Sequence, residues 1–125
     1  MKKILVVDDS VVNLKMAEKV LKEKEEYKSI LVPSGDRALK FLSKNKPDLI
    51  LLDIMMPDMD GFEVMSQFRK RPELQDVPVI FLTADDAEDT QKKAEKAGAK
   101  GLLLKPFKKD VLLELVAKHL SEEEA

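Results

Sequence analysis

The chain has 125 residues, of which 44% are hydrophobic, and this is enough for one buried core but not for two domains. Its 22 Lys and Arg residues against 24 Asp and Glu residues give a net charge of −2, which supplies no overall field for holding nucleic acid or an anionic membrane. Cysteine is absent, which excludes disulfides and thiolate metal sites, and we expect a cytoplasmic protein.

Five short runs that are rich in apolar or β-branched residues predict β-strands. They cover residues 3–7, 29–32, 49–52, 77–82 and 101–104. The first run is far too short for a signal-peptide core or a membrane span, so membrane insertion is not expected. Longer segments with apolar residues at helical spacing lie between the runs, so strands and helices alternate along the chain.

Several residues mark the ends of the predicted helices. Ser10 and Ser34 are typical N-caps, and the acidic stretch at 85–89, which includes Asp86, suits the positive end of a helix dipole. Gly98 is expected to close the fourth helix, because glycine tolerates the backbone conformation that ends helices.

The pattern as a whole predicts the fold class. The near-continuous apolar run at 49–52 is typical of a strand in a parallel sheet that helices cover on both faces. We therefore predict an α/β fold of the (βα)5 type, with a doubly wound sheet of five parallel strands. Residues 1–121 form this one domain, and residues 122–125 form a frayed C-terminal tail.

Polar side chains stand where the predicted strands end. Asp8 and Asp9 follow the first strand, Asp53 follows the third, Thr83 the fourth and Lys105 the fifth. Ligands of open α/β sheets bind beyond the carboxyl ends of the strands, so we expect these five side chains on one rim.

The three carboxylates on this rim predict a cation site. Their mutual repulsion would raise their pKa values unless a cation compensated the charge. Mg²⁺ is the expected ion, because it prefers oxygen ligands and completes its shell with a carbonyl, waters and a phosphate oxygen. A carboxylate such as Asp53 can attack phosphorus and form an acyl phosphate while Lys105 and the metal neutralise the transferring group.

At these residues the chain resembles the response regulator receiver domains of bacterial two-component systems. The matching motifs are VVDDS at 6–10, LLDIMMPDMDGFE at 51–63, FLTAD at 81–85 and LLKPF at 103–107. Four such motifs in order are highly specific, and the resemblance covers essentially the whole chain. It implies the flavodoxin-like strand order 2-1-3-4-5.

The resemblance also implies a metal-binding set. Asp9, the Asp53 carboxylate and the backbone carbonyl of Met55 would hold Mg²⁺, with Asp8 acting largely through water. Asp53 would be the phosphoacceptor. Met55 and Asp85 would overhang the phosphoryl group and influence its lifetime.

The switch implied by the resemblance involves Thr83 and Lys105. The Thr83 hydroxyl would swing toward the phosphoryl group, the Lys105 ammonium would bind it, and a cis peptide bond is expected before Pro106. These moves would remodel the face of the fourth helix, fifth strand and fifth helix for a downstream protein partner. Many receivers carry Tyr or Phe at the position of Leu102, so an aromatic rotamer switch cannot operate here.

Structural explanations exist for single residues. Asp53 could cap a following turn, Asp8 and Asp9 could cap the first helix, and Lys105 could be a solvated lysine. Thr83 could simply favour a strand. His119 near the end of the last helix suits a dipole or surface role better than catalysis. The convergence of the rim residues favours function.

Rival functions are weaker. A phosphatase of the haloacid dehalogenase type needs Asp-x-Asp after its first strand, and a flavin-binding module needs a Ser/Thr/Gly loop where Asp8 and Asp9 stand. A receiver-like module that binds partners without phosphorylation stays an alternative.

We predict a two-component signalling protein that takes its phosphoryl group from a histidine kinase or phosphotransfer protein and turns over no other substrate. The sequence leaves open whether the chain is stand-alone or part of a longer protein.

Overall fold

The structure is a computed structural model that describes residues 1–85 and 87–124, with side chains described up to residue 120. Its strands are β1 (Lys2–Val7), β2 (Tyr27–Val32), β3 (Leu49–Asp53), β4 (Val79–Thr83) and β5 (Gly101–Leu104). Its α-helices are α1 (Val11–Leu21), α2 (Gly35–Leu42), α3 (Gly61–Phe68), α4 (Glu88–Lys96) and α5 (Lys109–Glu124). A short 3₁₀ helix, Pro72–Leu74, precedes β4.

The strands form one parallel sheet in the order β2-β1-β3-β4-β5. This confirms the predicted (βα)5 fold and its strand order. The chain moves from β1 to one side of the sheet to form β2 and then returns to the other side to form β3. The strand order therefore reverses between β1 and β3, and the crevice at their carboxyl ends is the expected ligand site.

Two apolar layers explain why the strands are almost continuously hydrophobic. Leu5 and Val7 of β1 pack into one layer with α2, α3 and α4, while Ile4 and Val6 pack into the other with α1 and α5. Successive side chains of a strand point to opposite faces, so a sheet covered on both faces needs apolar residues at every position. All five residues of β3 are buried, including Asp53.

The capping predictions for the first two helices are confirmed. The Ser10 hydroxyl accepts the Asn13 N–H at 3.3 Å, and the Ser34 hydroxyl accepts the Arg37 N–H at 3.2 Å. Gly98 follows α4 with φ of +91°, which confirms its role at the end of that helix. In the acidic stretch, α4 begins at Glu88 and Asp86 lies outside the described residues.

The bounds of four strands differ from the prediction, and the differences are largest at β2 and β4. Strand β2 begins at Tyr27, two residues earlier than predicted, because it pairs with the full length of β1. Strand β4 begins at Val79, because Pro78 has no N–H for a ladder and contributes only its carbonyl, which accepts the Ile50 N–H at 3.0 Å.

Two further predictions concern the last helix. His119 is 95% buried, so the expected surface role is wrong: its ring lies against β5, where a Cβ on Gly101 would be 3.8 Å from His119 Nε2. The frayed tail at 122–125 stays a prediction, because Ala125 and the side chains of 121–124 lie outside the described residues. Among the described helices, none has the length and apolar character that crossing a membrane would need.

Candidate functional site

The five rim residues predicted from the sequence lie at the carboxyl edge of the sheet. Asp8, Asp53 and Thr83 are almost completely buried, whereas Asp9 is exposed to solvent. Each of them ends or follows a strand, so the parallel sheet itself brings them to one side.

The start of helix α3 also contributes to the shape of the rim. The Gly61 N–H donates to the Ile54 carbonyl at 2.9 Å, and Asp60 caps the helix by accepting the Glu63 N–H at 2.9 Å. A Cβ on Gly61 would lie 2.4 Å from the carbonyl oxygen of Asp53. Glycine is thus required where α3 approaches the end of β3. Neither role was predicted from the sequence, although Asp60 followed three residues later by Glu63 is a typical signal for a helix cap.

Lys105 joins two of the buried carboxylates. Its Nζ lies 3.0 Å from Asp53 Oδ1 and 3.4 Å from Asp8 Oδ2. Its side chain is about one-seventh exposed (14%), so these ion pairs are only weakly screened by water. Asp8 is fixed in addition by its Oδ1, which accepts the Ser10 N–H at 2.9 Å.

The remaining oxygen of Asp53 stands out. Among the described residues, Asp53 Oδ2 is buried and has no hydrogen-bond partner. Burying a carboxylate oxygen without a partner is costly, and native proteins normally avoid it. Such an atom fits a site that binds a cation or a reacting group.

The pKa values of Asp53 and Lys105 are both shifted by the buried charges of the site. Burial, together with the charge of Asp8, raises the pKa of Asp53 from 3.8 to about 6, although Lys105 partly opposes the increase. Burial would lower the pKa of Lys105, but its hydrogen bond to Asp53 and the charges of Asp53 and Asp8 leave it raised. At neutral pH the three carboxylates of the site therefore outweigh the single positive charge of Lys105.

The acidic residues are close enough to share a metal ion. One carboxylate oxygen each from Asp8, Asp9 and Asp53 lie within 4.8 Å of one another. Met55, whose carbonyl completes the expected set, follows β3 by two residues, and its side chain is exposed. The orphaned oxygen and the three carboxylates fit a hard divalent cation with oxygen ligands.

Thr83 is hydrogen-bonded through its hydroxyl to the backbone of the loop that follows β4. Its hydroxyl accepts the Asp85 N–H at 3.0 Å and donates to the Asp85 carbonyl at 3.3 Å. Its backbone carbonyl accepts the Lys105 N–H at 2.7 Å, which links the ends of β4 and β5. The peptide bond between Lys105 and Pro106 is cis, as the resemblance implied.

Leu102, the departure from the family pattern, lies on β5 beside α4. It is half-buried against the same apolar layer as Phe81, and it lines a cavity of about 370 Å³ together with Ala94 and Ala99. A leucine side chain has no polar group or ring with which to report a change at the rim.

The comparisons with known proteins agree with this geometry. Residues 4–117 match the family model described as "response regulator receiver domain". PilH from Pseudomonas aeruginosa is 32% identical over 116 residues, which cover 93% of this chain and 95% of PilH. Response regulator PleD from Caulobacter vibrioides is 38% identical over 111 residues, which cover 89% of this chain but only 24% of PleD.

A solved structure has the same fold. The receiver domain of the sensor histidine kinase PA1611 from Pseudomonas aeruginosa, solved with a magnesium ion coordinated in its active-site cleft, matches with a TM-score of 0.87. It is 29% identical in sequence, and the match covers 96% of this chain and 98% of that domain. The chain thus spans nearly all of PilH and of this receiver, but about a quarter of PleD.

Proposed function

The chain belongs to the response regulator receiver family, and from that premise we propose that Asp53 accepts a phosphoryl group in a Mg²⁺-dependent reaction. The donor is a histidine kinase or a phosphotransfer protein, and the phosphorylated chain presents a changed surface to a downstream protein. The observation that carries this proposal is Asp53 Oδ2, a buried carboxylate oxygen that has no partner among the described residues, while Oδ1 of the same carboxylate is paired with the Lys105 ammonium.

The phosphotransfer step uses the two Asp53 oxygens differently. Oδ2 attacks the phosphorus of a phosphohistidine, an O–P bond forms as the P–N bond breaks, and the electron pair leaves with the imidazole. Lys105 lies 3.0 Å from Oδ1, where its ammonium offsets the charge of the acyl phosphate. The Thr83 hydroxyl then turns from Asp85 toward the phosphoryl oxygens.

Metal binding is assigned to the acidic cluster. Asp9, Asp53 and the Met55 carbonyl would hold Mg²⁺, with Asp8 acting through a water. A bound Mg²⁺ would neutralise charge on the phosphoryl oxygens during transfer. The similar receiver of PA1611, which has a magnesium ion in its cleft, supports this assignment.

The downstream partner is assigned to the face formed by α4, β5 and α5. Leu104 of β5 and Val111 of α5 expose apolar side chains there, which a partner would cover. We expect the protein to act in the cytoplasm, without nucleic-acid contact, and to turn over no substrate other than its own phosphoryl group.

Intact mass tests the proposal directly. The wild-type chain is incubated with acetyl phosphate and Mg²⁺, and a gain of about 80 Da is expected for one phosphoryl group. The gain should be absent without Mg²⁺ and in Asp53→Asn. It should persist in Asp36→Asn, a matched change at an exposed carboxylate in α2 that lies outside the rim.

The outcome separates this function from the alternative of a module that binds partners without phosphorylation. A gain that requires both Mg²⁺ and Asp53 supports the phosphoacceptor. If no adduct forms with acetyl phosphate or with a panel of histidine kinases, the proposal is wrong and the phosphorylation-independent module becomes the better explanation.

A further inference from the structure

In the loop between β4 and α4, one residue, Asp85, makes hydrogen bonds to the Thr83 hydroxyl. Among the described residues, Asp85 supplies both hydrogen-bond partners of this hydroxyl, its N–H at 3.0 Å and its carbonyl at 3.3 Å. Since a hydroxyl has one proton to donate, Thr83 can turn toward Asp53 only after its bond to the Asp85 carbonyl is broken. The position of Asp85 therefore decides how readily Thr83 is released.

The Asp85 side chain is itself tied to α4. Its Oδ1 accepts the Ala87 N–H at 2.9 Å, and its Oδ2 accepts the Thr90 hydroxyl at 3.1 Å. Ala87 stands at the N-cap position and has no polar side chain, so Asp85 provides the carboxylate that serves this end of the helix. The bond from Ala87 comes from the backbone, so a substitution at Ala87 would not remove it. The bond from Thr90 comes from its side chain and can be removed by substituting Thr90.

The surroundings leave room for movement at this point. Met55, Thr83, Asp85 and Thr90 line a cavity of about 220 Å³ at the rim. Lys93, one turn after Thr90, lies with its Nζ 4.6 Å from the centre of the Phe62 ring and braces α4 against α3. The helix thus has a second attachment that does not depend on Asp85.

We propose that Thr90 is a positioning residue for the phosphorylation switch: through its hydrogen bond to Asp85 it keeps the Thr83 hydroxyl turned away from Asp53. Thr83, Asp85 and Thr90 form a connected chain of hydrogen bonds from the rim to α4, which we call the loop latch. The latch links the phosphoryl site to α4 without the aromatic side chain that Leu102 replaces. This inference rests on the proposed function and adds a residue that sets its equilibrium.

The size of the effect follows from the bond that is lost. A hydrogen bond from Thr90 to a charged carboxylate stabilises only the conformation in which Asp85 holds Thr83. Because the apparent affinity of a ligand falls with the fraction of protein in the competent conformation, removing the bond should tighten binding of a phosphoryl mimic. The bond is exposed to solvent, so we expect about a two- to fivefold change.

Two variants at one position provide the test. Thr90→Val removes the hydroxyl at nearly constant shape, and Thr90→Ser keeps it. The apparent Kd for beryllofluoride in the presence of Mg²⁺ is measured by NMR titration of the intact chain, and the Thr83 amide and methyl shifts are recorded without ligand. Thermal unfolding shows whether each variant is folded.

The latch predicts a Kd two- to fivefold lower for Thr90→Val, free-state Thr83 shifts displaced toward the bound values, and wild-type behaviour for Thr90→Ser. If Thr90→Val lowers only the Tm and leaves the Kd and the Thr83 shifts unchanged, Thr90 is merely part of the helix end and the inference is wrong. If the wild-type chain neither binds beryllofluoride nor gains mass from acetyl phosphate, the proposed function fails, and the inference fails with it.

Discussion

At the scale of single residues, the two oxygens of Asp53 have different environments. Oδ1 is held by Lys105 at 3.0 Å, while Oδ2 is buried without a partner among the described residues. This asymmetry supports the proposal that Oδ2 is the nucleophile, and it makes the free site electrostatically unfavourable. Residues that are poorly stabilised in the fold are often the ones that bind or react.

The pH dependence of stability should reveal this cost. The folded-state pKa of Asp53, about 6, lies above its ordinary value of 3.8, so ionisation of Asp53 destabilises the folded state. The destabilisation is absent below about pH 4, grows as the pH rises and is complete above about pH 6. In metal-free buffer at pH 7.5, Asp53→Asn should therefore raise the free energy of unfolding by about 1–3 kcal/mol.

Urea denaturation with EDTA present, carried out at pH 4 and at pH 7.5, would measure this difference. The advantage of Asp53→Asn should shrink at pH 4, because the folded wild-type carboxyl is then protonated and the pH is close to the ordinary pKa of 3.8, where only about half of the unfolded-state carboxyl is ionised. An equal effect at both pH values would show that the raised pKa is not its cause. Asp36→Asn, at an exposed position, is the control.

Lys105 should matter for the chemical step. Lys105→Met keeps much of the length but removes the ammonium that faces Asp53 and Asp8. We expect the rate of adduct formation from acetyl phosphate to fall about 100-fold, a typical loss for one electrostatic contact to a transferring group. Mass spectrometry over time measures this rate, and Lys108→Met, at an exposed neighbour, should behave like the wild-type chain. A rate unchanged by Lys105→Met would contradict the assigned role.

At the scale of elements, helix α3 is seated against β3 by a backbone contact. The Gly61 N–H donates to the Ile54 carbonyl, and the missing side chain of Gly61 lets the helix approach Asp53. The same contact closes one side of the rim. Gly61 therefore affects both the stability of the fold and the geometry of the site.

A methyl group at Gly61 should be poorly tolerated. In Gly61→Ala the new Cβ would lie 2.4 Å from the Asp53 carbonyl oxygen, and backbone cannot yield as a flexible side chain does. We expect a loss of about 2–3 kcal/mol, as for overpacked positions, together with slower phosphorylation because the end of β3 must shift.

Gly98→Ala provides a comparison of a different kind. A Cβ at Gly98 would meet nothing within 4 Å, but the φ of +91° would strain an alanine. Its cost should be about 1–2 kcal/mol, with no change in the phosphorylation rate. Denaturation and mass spectrometry of both variants separate a steric effect at the rim from backbone strain far from it; equal phosphorylation rates in the two variants would refute the Gly61 prediction.

At the scale of the whole molecule, a metal ion bound by the acidic cluster would link metal binding to the stability of the fold. Ion binding to the folded chain alone would stabilise it, and the gain grows with ion concentration. The Tm should rise as Mg²⁺ is added to the wild-type chain, with about 2.7 kcal/mol of stabilisation at 100 times the Kd. Asp53→Asn should lose most of this response.

Thermal unfolding at several Mg²⁺ concentrations measures the linkage, with Na⁺ at matched ionic strength as the control for screening. A Tm that rises equally in Asp53→Asn would place the ion elsewhere.

Local sequence patterns predicted the five strands and the residues that meet at the rim. The apolar runs located all five strands, and the fifth was predicted with its observed bounds, 101–104. Ser10 and Ser34 marked helix starts because a cap bonds to an N–H three residues along the chain. Asp8, Asp53 and Lys105 were identified because each directly follows or ends a strand of a parallel sheet, whose carboxyl ends meet.

Tertiary structure alone decided how those residues are partnered. Four features of the site and its surroundings depend on distances between separate elements. They are the unpartnered Asp53 Oδ2, the contact of Gly61 with the end of β3, the burial of His119 and the hydrogen bond from Thr90 to Asp85. Periodicity and capping are local interactions and are visible in a few consecutive residues. Hydrogen-bond partners and burial across elements are set only when the sheet and its helices pack together.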